Sequence, residues 1–125
     1  METILSILRS KFFITGLVII LNIFSQVLYK NVSLANNRID NDFSFIFSTL
    51  FNIKVMAGML FQIFGLVLWF FILRKYDLIW SALMSSLIPV GLILSGYYLF
   101  NESLTINVII GSLFVVAGLF IINIK

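Results

Sequence analysis

The sequence predicts an all-α, polytopic membrane protein: four transmembrane helices, with a short interfacial segment between the first and second. Three observations predict it. The chain is 62% hydrophobic with a mean hydropathy of +1.16, and a soluble chain of 125 residues has too much surface to hide so many Phe, Ile and Leu side chains. The apolar residues fall in four long runs, each near the roughly 20 residues that cross a bilayer at about 1.5 Å per residue. The centres of those runs hold no Asp, Glu or His, while Lys and Arg gather toward their ends. Crossings and short loops fill the chain, so a single transmembrane domain, residues 1–125, is expected.

The first crossing is expected at about 12–30, behind Arg9 and Lys11. A basic start before an apolar core resembles a signal peptide, with Ser33-Leu34-Ala35 as a small-residue cleavage site. Asn22, Gln26 and Lys30 interrupt the region ahead of that site, so the segment reads as a retained helix. Met1 to Leu8 alternate polar and apolar groups at near-helical spacing, which predicts a short interfacial lead-in. The polar stretch from Asn36 to Asp42 reads as an aqueous loop. Phe43 to Phe51 is too short to span and rich in Phe, and is expected to lie at the interface.

The second crossing is expected at about 53–73, stopped by Arg74-Lys75-Tyr76-Asp77. The third, about 78–100, contains the only proline, Pro89. The fourth, about 104–124, is followed by Lys125. With the N-terminus inside, Arg9, Lys11, Arg74, Lys75 and Lys125 are cytoplasmic, and Lys30, Arg38 and Lys54 lie outside with Asp40, Asp42 and Glu102. The positive-inside rule favours this orientation, with both termini cytoplasmic. The same distribution explains the net charge of +3 without nucleic acid as a partner. Trp69 and Trp80 fall toward the cytoplasmic ends of their helices, as belt anchors do.

Polar residues inside the runs are the candidates for function. Asn22, Gln26 and Lys30 are spaced i, i+4, i+8, with Ser25 and Tyr29 beside them, so one face is expected to carry them. Such amides either hydrogen-bond across a helix interface or line a wet path. Lys30 serves as a snorkelling anchor or as a point charge for a phosphate. Gln62 stands alone in an apolar run between Gly58 and Gly65, whose spacing of seven allows close helix approach. In the third crossing Pro89 removes a backbone bond to the carbonyl of Ser85 and is expected to kink the helix. Ser81, Ser85 and the neighbouring serines either re-satisfy freed backbone groups or line a path, with Pro89 as its hinge. Tyr97 and Tyr98 precede Glu102 by about a turn and are expected to shape a head-group pocket with it. Glu102 either stabilises the start of the fourth helix or pairs with a cation, a substrate amine or Lys30. Gly111 and Gly118 again repeat at seven, a small-residue seam for association within or between subunits.

Zero Cys and zero His exclude a disulfide framework and ordinary zinc or haem ligation. The chain has no phosphate-cradling glycine loop, metal cluster or nucleophile–base pair, so no catalytic residue, metal or cofactor is expected, nor an enzyme.

The closing stretch, Tyr98-Leu99-Phe100-Asn101-Glu102-Ser103-Leu104-Thr105 followed by Gly111 and Gly118, resembles the drug/metabolite transporter superfamily. Its EamA-like and small-multidrug-resistance-like members carry Gly-Glu-x-Leu-Thr and then Gly-x6-Gly in the final helix; Asn101 stands here where they often have Gly. Gln26 and Lys30 resemble the Gln-x-x-x-Lys pattern of the same group. The small multidrug exporters share a first-helix glutamate between proton and cation, and the expected first helix has no acid. The nearer resemblance is therefore to four-helix flippase subunits for aminosugar-phosphoundecaprenol. That resemblance implies movement of a polyprenyl-phosphate glycolipid from cytoplasmic to periplasmic leaflet of a bacterial inner membrane, for lipid A or envelope glycan modification. Lys30 would receive phosphate, Glu102 an amino group, and Asn22, Gln26 and the third-helix serines would line the way. Related transporters use paired repeats, so a homodimer, or a heterodimer with a similar small subunit, is expected. A proton-coupled cation exporter and a non-transporting accessory subunit of an envelope glycosylation complex stay open.

Overall fold

The computed structural model describes residues 2–124, with side-chain environments for Ser6, 11–122 and Ile124. Every regular element among them is a helix: α1 (Glu2–Ala35), α2 (Asp42–Leu50), α3 (Ile53–Lys75), α4 (Leu78–Ser85), α5 (Leu87–Phe100) and α6 (Ile106–Asn123). Among the described residues three stretches are long and apolar enough to cross a membrane: Lys11–Ala35, Ile53–Lys75, and Leu78–Phe100, which comprises α4 and α5. The apolar stretch of α6, Ile106–Ile122, is shorter. Of the basic residues used to orient the chain, Lys125 and the side chain of Arg9 lie outside the described residues.

The helix ends follow their local chemistry. α1 gives way at Asn36 and Asn37, residues that compete for the backbone and favour turns. Asn41 caps α2 by accepting the Phe43 amide at 3.1 Å, and Asn52 accepts the Lys54 amide at 3.0 Å as α3 begins. Arg74 and Lys75 sit in the last turn of α3, where the helix dipole favours cations. Asn101 ends α5 in the left-handed region, φ 52° and ψ 34°, a conformation that suits Gly first and Asn next.

Three expectations need correction. The lead-in and first crossing are one helix of 34 residues, about 51 Å long, with no break before the span. It also runs past Lys30 to Ala35, because Val32 is buried and extends its packed face. The third crossing is not one kinked helix but two, broken at Ser86. Pro89 offers no N–H to the Ser85 carbonyl and its ring crowds that carbonyl, so the break falls three residues before the proline. There the Ser86 amide turns to the Leu83 carbonyl at 3.1 Å, a tighter turn than the α-helical ladder. The last helix starts at Ile106 rather than Leu104, since residues 101–105 form the connection.

Two compact units divide the chain, residues 1–72 and 73–125. In the first, the buried residues of α1 among those described are Thr15, Val18, Ser25 and Val32, and those of α3 are Val55, Gly58, Gly65 and Ile72. Both sets repeat at three, seven and seven residues, the spacing of a helix-packing seam. The helices run antiparallel: Leu21 lies by Gly65, Phe24 meets Phe61 edge-on at 5.4 Å, and Tyr29 lies against Gly58. In the second unit, α5 adjoins α4 on one side of the chain and α6 on the other.

Hydroxyls inside the helices bond to their own backbone. Thr15 donates to the Lys11 carbonyl and Ser25 to that of Leu21, each at 2.8 Å. Ser81 donates to Asp77, Ser85 to Ala82, Ser86 to Leu83, Ser95 to Gly91 and Ser112 to Val108. In an apolar medium this satisfies the donor without a partner helix.

Candidate functional site

In the first unit Ser25 and Gln62 lie where α1 and α3 pack. The contacts at Leu21–Gly65 and Tyr29–Gly58 set a register that puts Ser25 level with Gln62. Ser25 is fully buried and its hydrogen is committed to Leu21. Gln62 is half-buried, on the same side of α3 as Gly58 and Gly65, and its Oε1 is buried with no hydrogen-bond partner among the described residues. An unpaired buried carbonyl costs about 1–3 kcal/mol. It is the sharpest polar irregularity of this unit.

The expected shared face of Asn22, Gln26 and Lys30 holds only in part. Asn22 is half-buried, Gln26 and Lys30 are exposed, and Ser25 is the residue that enters the seam. The cause is helix geometry. Four residues at 3.6 per turn advance about 40° beyond a full turn, so an i, i+4, i+8 row swings away from a seam built on alternating threes and fours. Asn22 begins at the packed edge and Lys30 ends on the open side.

Gly58 and Gly65 both lie in the buried seam, and Gly58 is where small size is required. A Cβ there would stand 2.6 Å from Cε1 of Tyr29, so the ring occupies the space a side chain would fill. The signal for Tyr29 was present in the sequence, since it stands four residues after Ser25 and three before Val32, on the same seam.

In the second unit Tyr97, Tyr98 and Glu102 gather at the α5–α6 connection. The two tyrosine rings meet edge-on at 5.0 Å and both are exposed. The amides of Asn101 and Glu102 converge on the carbonyl of Gly96, which turns the chain back over the helix end. Glu102 is exposed yet folds over Gly96, where a Cβ would lie 2.6 Å from its Oε2. Gly96 thus gives Glu102 its place, a role that sequence reading missed. Glu102 precedes α6 by the whole connection and stands outside its first turn, so the dipole reading of this residue loses its geometric basis.

Ser81 is fully buried and Ser85 half-buried, and each donates its hydrogen to a carbonyl of its own helix. Pro89 is exposed, on the far side of the Ser86 break. Nothing within 4 Å would meet a side chain at Gly111 or Gly118, so the second glycine pair is open among the described residues. No group of His, Cys, Asp and Glu able to hold a metal ion occurs among the described residues.

The helices therefore define an all-helical protein of transmembrane character, with polar groups set into one helix seam and one helix end. No protein-family model, curated protein or solved structure matches the chain.

Proposed function

We propose that this chain is a small membrane transporter of the flippase kind, moving an undecaprenyl-phosphate-linked aminosugar between leaflets of a bacterial inner membrane. In this reading α6 is a fourth crossing, both termini are cytoplasmic, and transfer runs toward the periplasm. The single observation that carries it is Gln62: a carbonyl oxygen without a partner among the described residues, within an apolar helix and level with Ser25. A hydroxyl or amino group of a sugar supplies the missing donor, while the lipid tail stays in the bilayer. The likeness of the Gln26–Lys30 and Asn101–Thr105 stretches to aminosugar-lipid flippase subunits supports the same reading.

Lys30, exposed near the end of α1, offers a point charge for phosphate, and Glu102, exposed beyond α5, offers a carboxylate for an amine. Ser81 and Ser85 offer only acceptor lone pairs, because their hydrogens are already used. A proton-coupled exporter is the weaker reading. The spanning segment Lys11–Ala35 holds no acid; Glu2 belongs to α1 but lies outside that segment. Assembly as a homodimer, or with a similar small subunit, completes the proposal.

Reconstitution with labelled polyprenyl-phosphate sugars, scored for leaflet exchange, tests it. Exchange is expected with the native chain and is expected to fall at least tenfold in Lys30→Ala and Glu102→Ala, the loss of about 1.4 kcal/mol of charge-assisted contact. Native-level exchange in both variants, or none by the native chain with or without a similar subunit, overturns the proposal. Drug-driven proton movement in the same vesicles would move the assignment to the exporter.

A further inference from the structure

α2 turns most of its large apolar residues outward. Phe43, Ile46, Phe47, Leu50 and Phe51 stand at i, i+3, i+4, i+7 and i+8, and all five are exposed, Phe43 at 77% and Phe51 at 68%. Their rings form a ladder, Phe43 on Phe47 at 6.4 Å and Phe47 on Phe51 at 4.6 Å. The side turned toward the protein carries Phe45 and Thr49, the two half-buried residues of α2, while Ser44 and Ser48 are exposed. Asn36, just past the end of α1, donates through Nδ2 to Thr49 Oγ1 at 3.1 Å, with Ser48 Oγ at 3.5 Å. In water such a face would forgo most of the roughly 1.5–3 kcal/mol that burying each large apolar side chain supplies.

Topology names what covers it. α1 and α3 run antiparallel, so Ala35 and Ile53 emerge at the same membrane surface and residues 36–52 stay there. A helix of nine residues, about 13 Å long, cannot cross some 30 Å of hydrocarbon. On α3, Ile53, Met56 and Leu60 are exposed as well, as lipid-facing residues of a spanning helix are. The occupant is lipid, and no particular head group is called for. Between residues 36 and 54, Arg38 and Lys54 are matched by Asp40 and Asp42.

We propose that α2 is a lipid-binding surface helix, lying flat at the boundary of head groups and acyl chains, with Phe43, Ile46, Phe47, Leu50 and Phe51 in lipid and its roll angle held by the Asn36–Thr49 bond. Insertion is driven by apolar area and is indifferent to anionic lipid, unlike that of basic amphipathic helices. The proposal stands apart from the transport reading and can fail or hold without it.

The chain has no cysteine, so single cysteines at 43, 44, 47, 48 and 51 of the full-length protein can each carry a nitroxide label. In phosphatidylcholine vesicles, collision with oxygen relative to a water-soluble nickel complex is expected to be severalfold higher at 43, 47 and 51 than at 44 and 48. Adding phosphatidylglycerol is expected to leave that contrast unchanged. Asn36→Ala is expected to flatten the contrast while 43 and 47 remain in lipid. Uniform nickel access overturns the proposal, as does spin–spin broadening at 43 and 47, which makes a second copy the occupant. Insertion that needs phosphatidylglycerol overturns the charge argument, and an unaltered contrast in Asn36→Ala overturns the brace.

Discussion

Gly58 and Gly65 are seven residues apart, and so are Gly111 and Gly118. The first pair is buried in the α1–α3 seam, with Tyr29 filling the notch at Gly58; the second faces open space among the described residues. Identical spacing thus gives two different outcomes. Glycine spacing marks a surface that permits close approach, and whether anything approaches depends on the opposite helix. Gly58 has a partner because the α1 seam repeats at the same three and seven residues and brings a large ring level with it.

The strongest way to break this comparison is to put a side chain into the occupied notch. Gly58→Ala sets a Cβ against the Tyr29 ring at 2.6 Å, and overpacking of this kind costs about 1–3 kcal/mol. A thermal melt in detergent should show the loss, and Gly58→Ala should cost much less when introduced into Tyr29→Ala and compared with that single variant. A loss of the same size without the ring would place the obstruction elsewhere. A smaller effect separates backbone need from packing need. Asn101→Ala is expected to cost about 1–2 kcal/mol, because alanine resists the left-handed conformation at φ 52°, whereas Asn101→Gly should be neutral or better. Equal stability of the two variants would show that the turn does not depend on that backbone angle. The smallest effect belongs to the open pair. Gly111→Ala and Gly118→Ala each meet nothing within 4 Å and should stabilise by roughly 0.4–1 kcal/mol through the unfolded chain. Destabilisation together with a change in oligomer size would reveal a covering partner and make the pairs alike.

Much of the architecture was legible in the sequence because lipid simplifies the code. A run such as Ile53–Leu73 with no charge after Lys54 has little choice but to be a helix, and Arg74-Lys75 mark its end. The features that were missed arise from geometry between positions. Pro89 announced a disturbance, but its consequence falls at Ser86, beside the carbonyl that loses its donor. Asn22, Gln26 and Lys30 read as one stripe, yet 3.6 residues per turn carries the row off the seam. The Asn36–Thr49 bond joins residues thirteen apart across a loop, a separation with no periodic signature. Glu102 stood out as the only acid between the last two apolar runs, but its fold over Gly96 depends on the turn at Asn101.

The back-bonded hydroxyls bear on mechanics as well as on solvation. A serine that shares its helix's carbonyl slightly weakens and bends the ladder there. Between Lys11 and Ala35, α1 has such points at Thr15 and Ser25, ten residues apart. Between Leu78 and Phe100 there are four, at Ser81, Ser85, Ser86 and Ser95, clustered around a helix break. Compliance is therefore concentrated in α4 and α5. A change in bilayer thickness or lateral pressure is expected to bend that segment more readily than the stretch Lys11–Ala35.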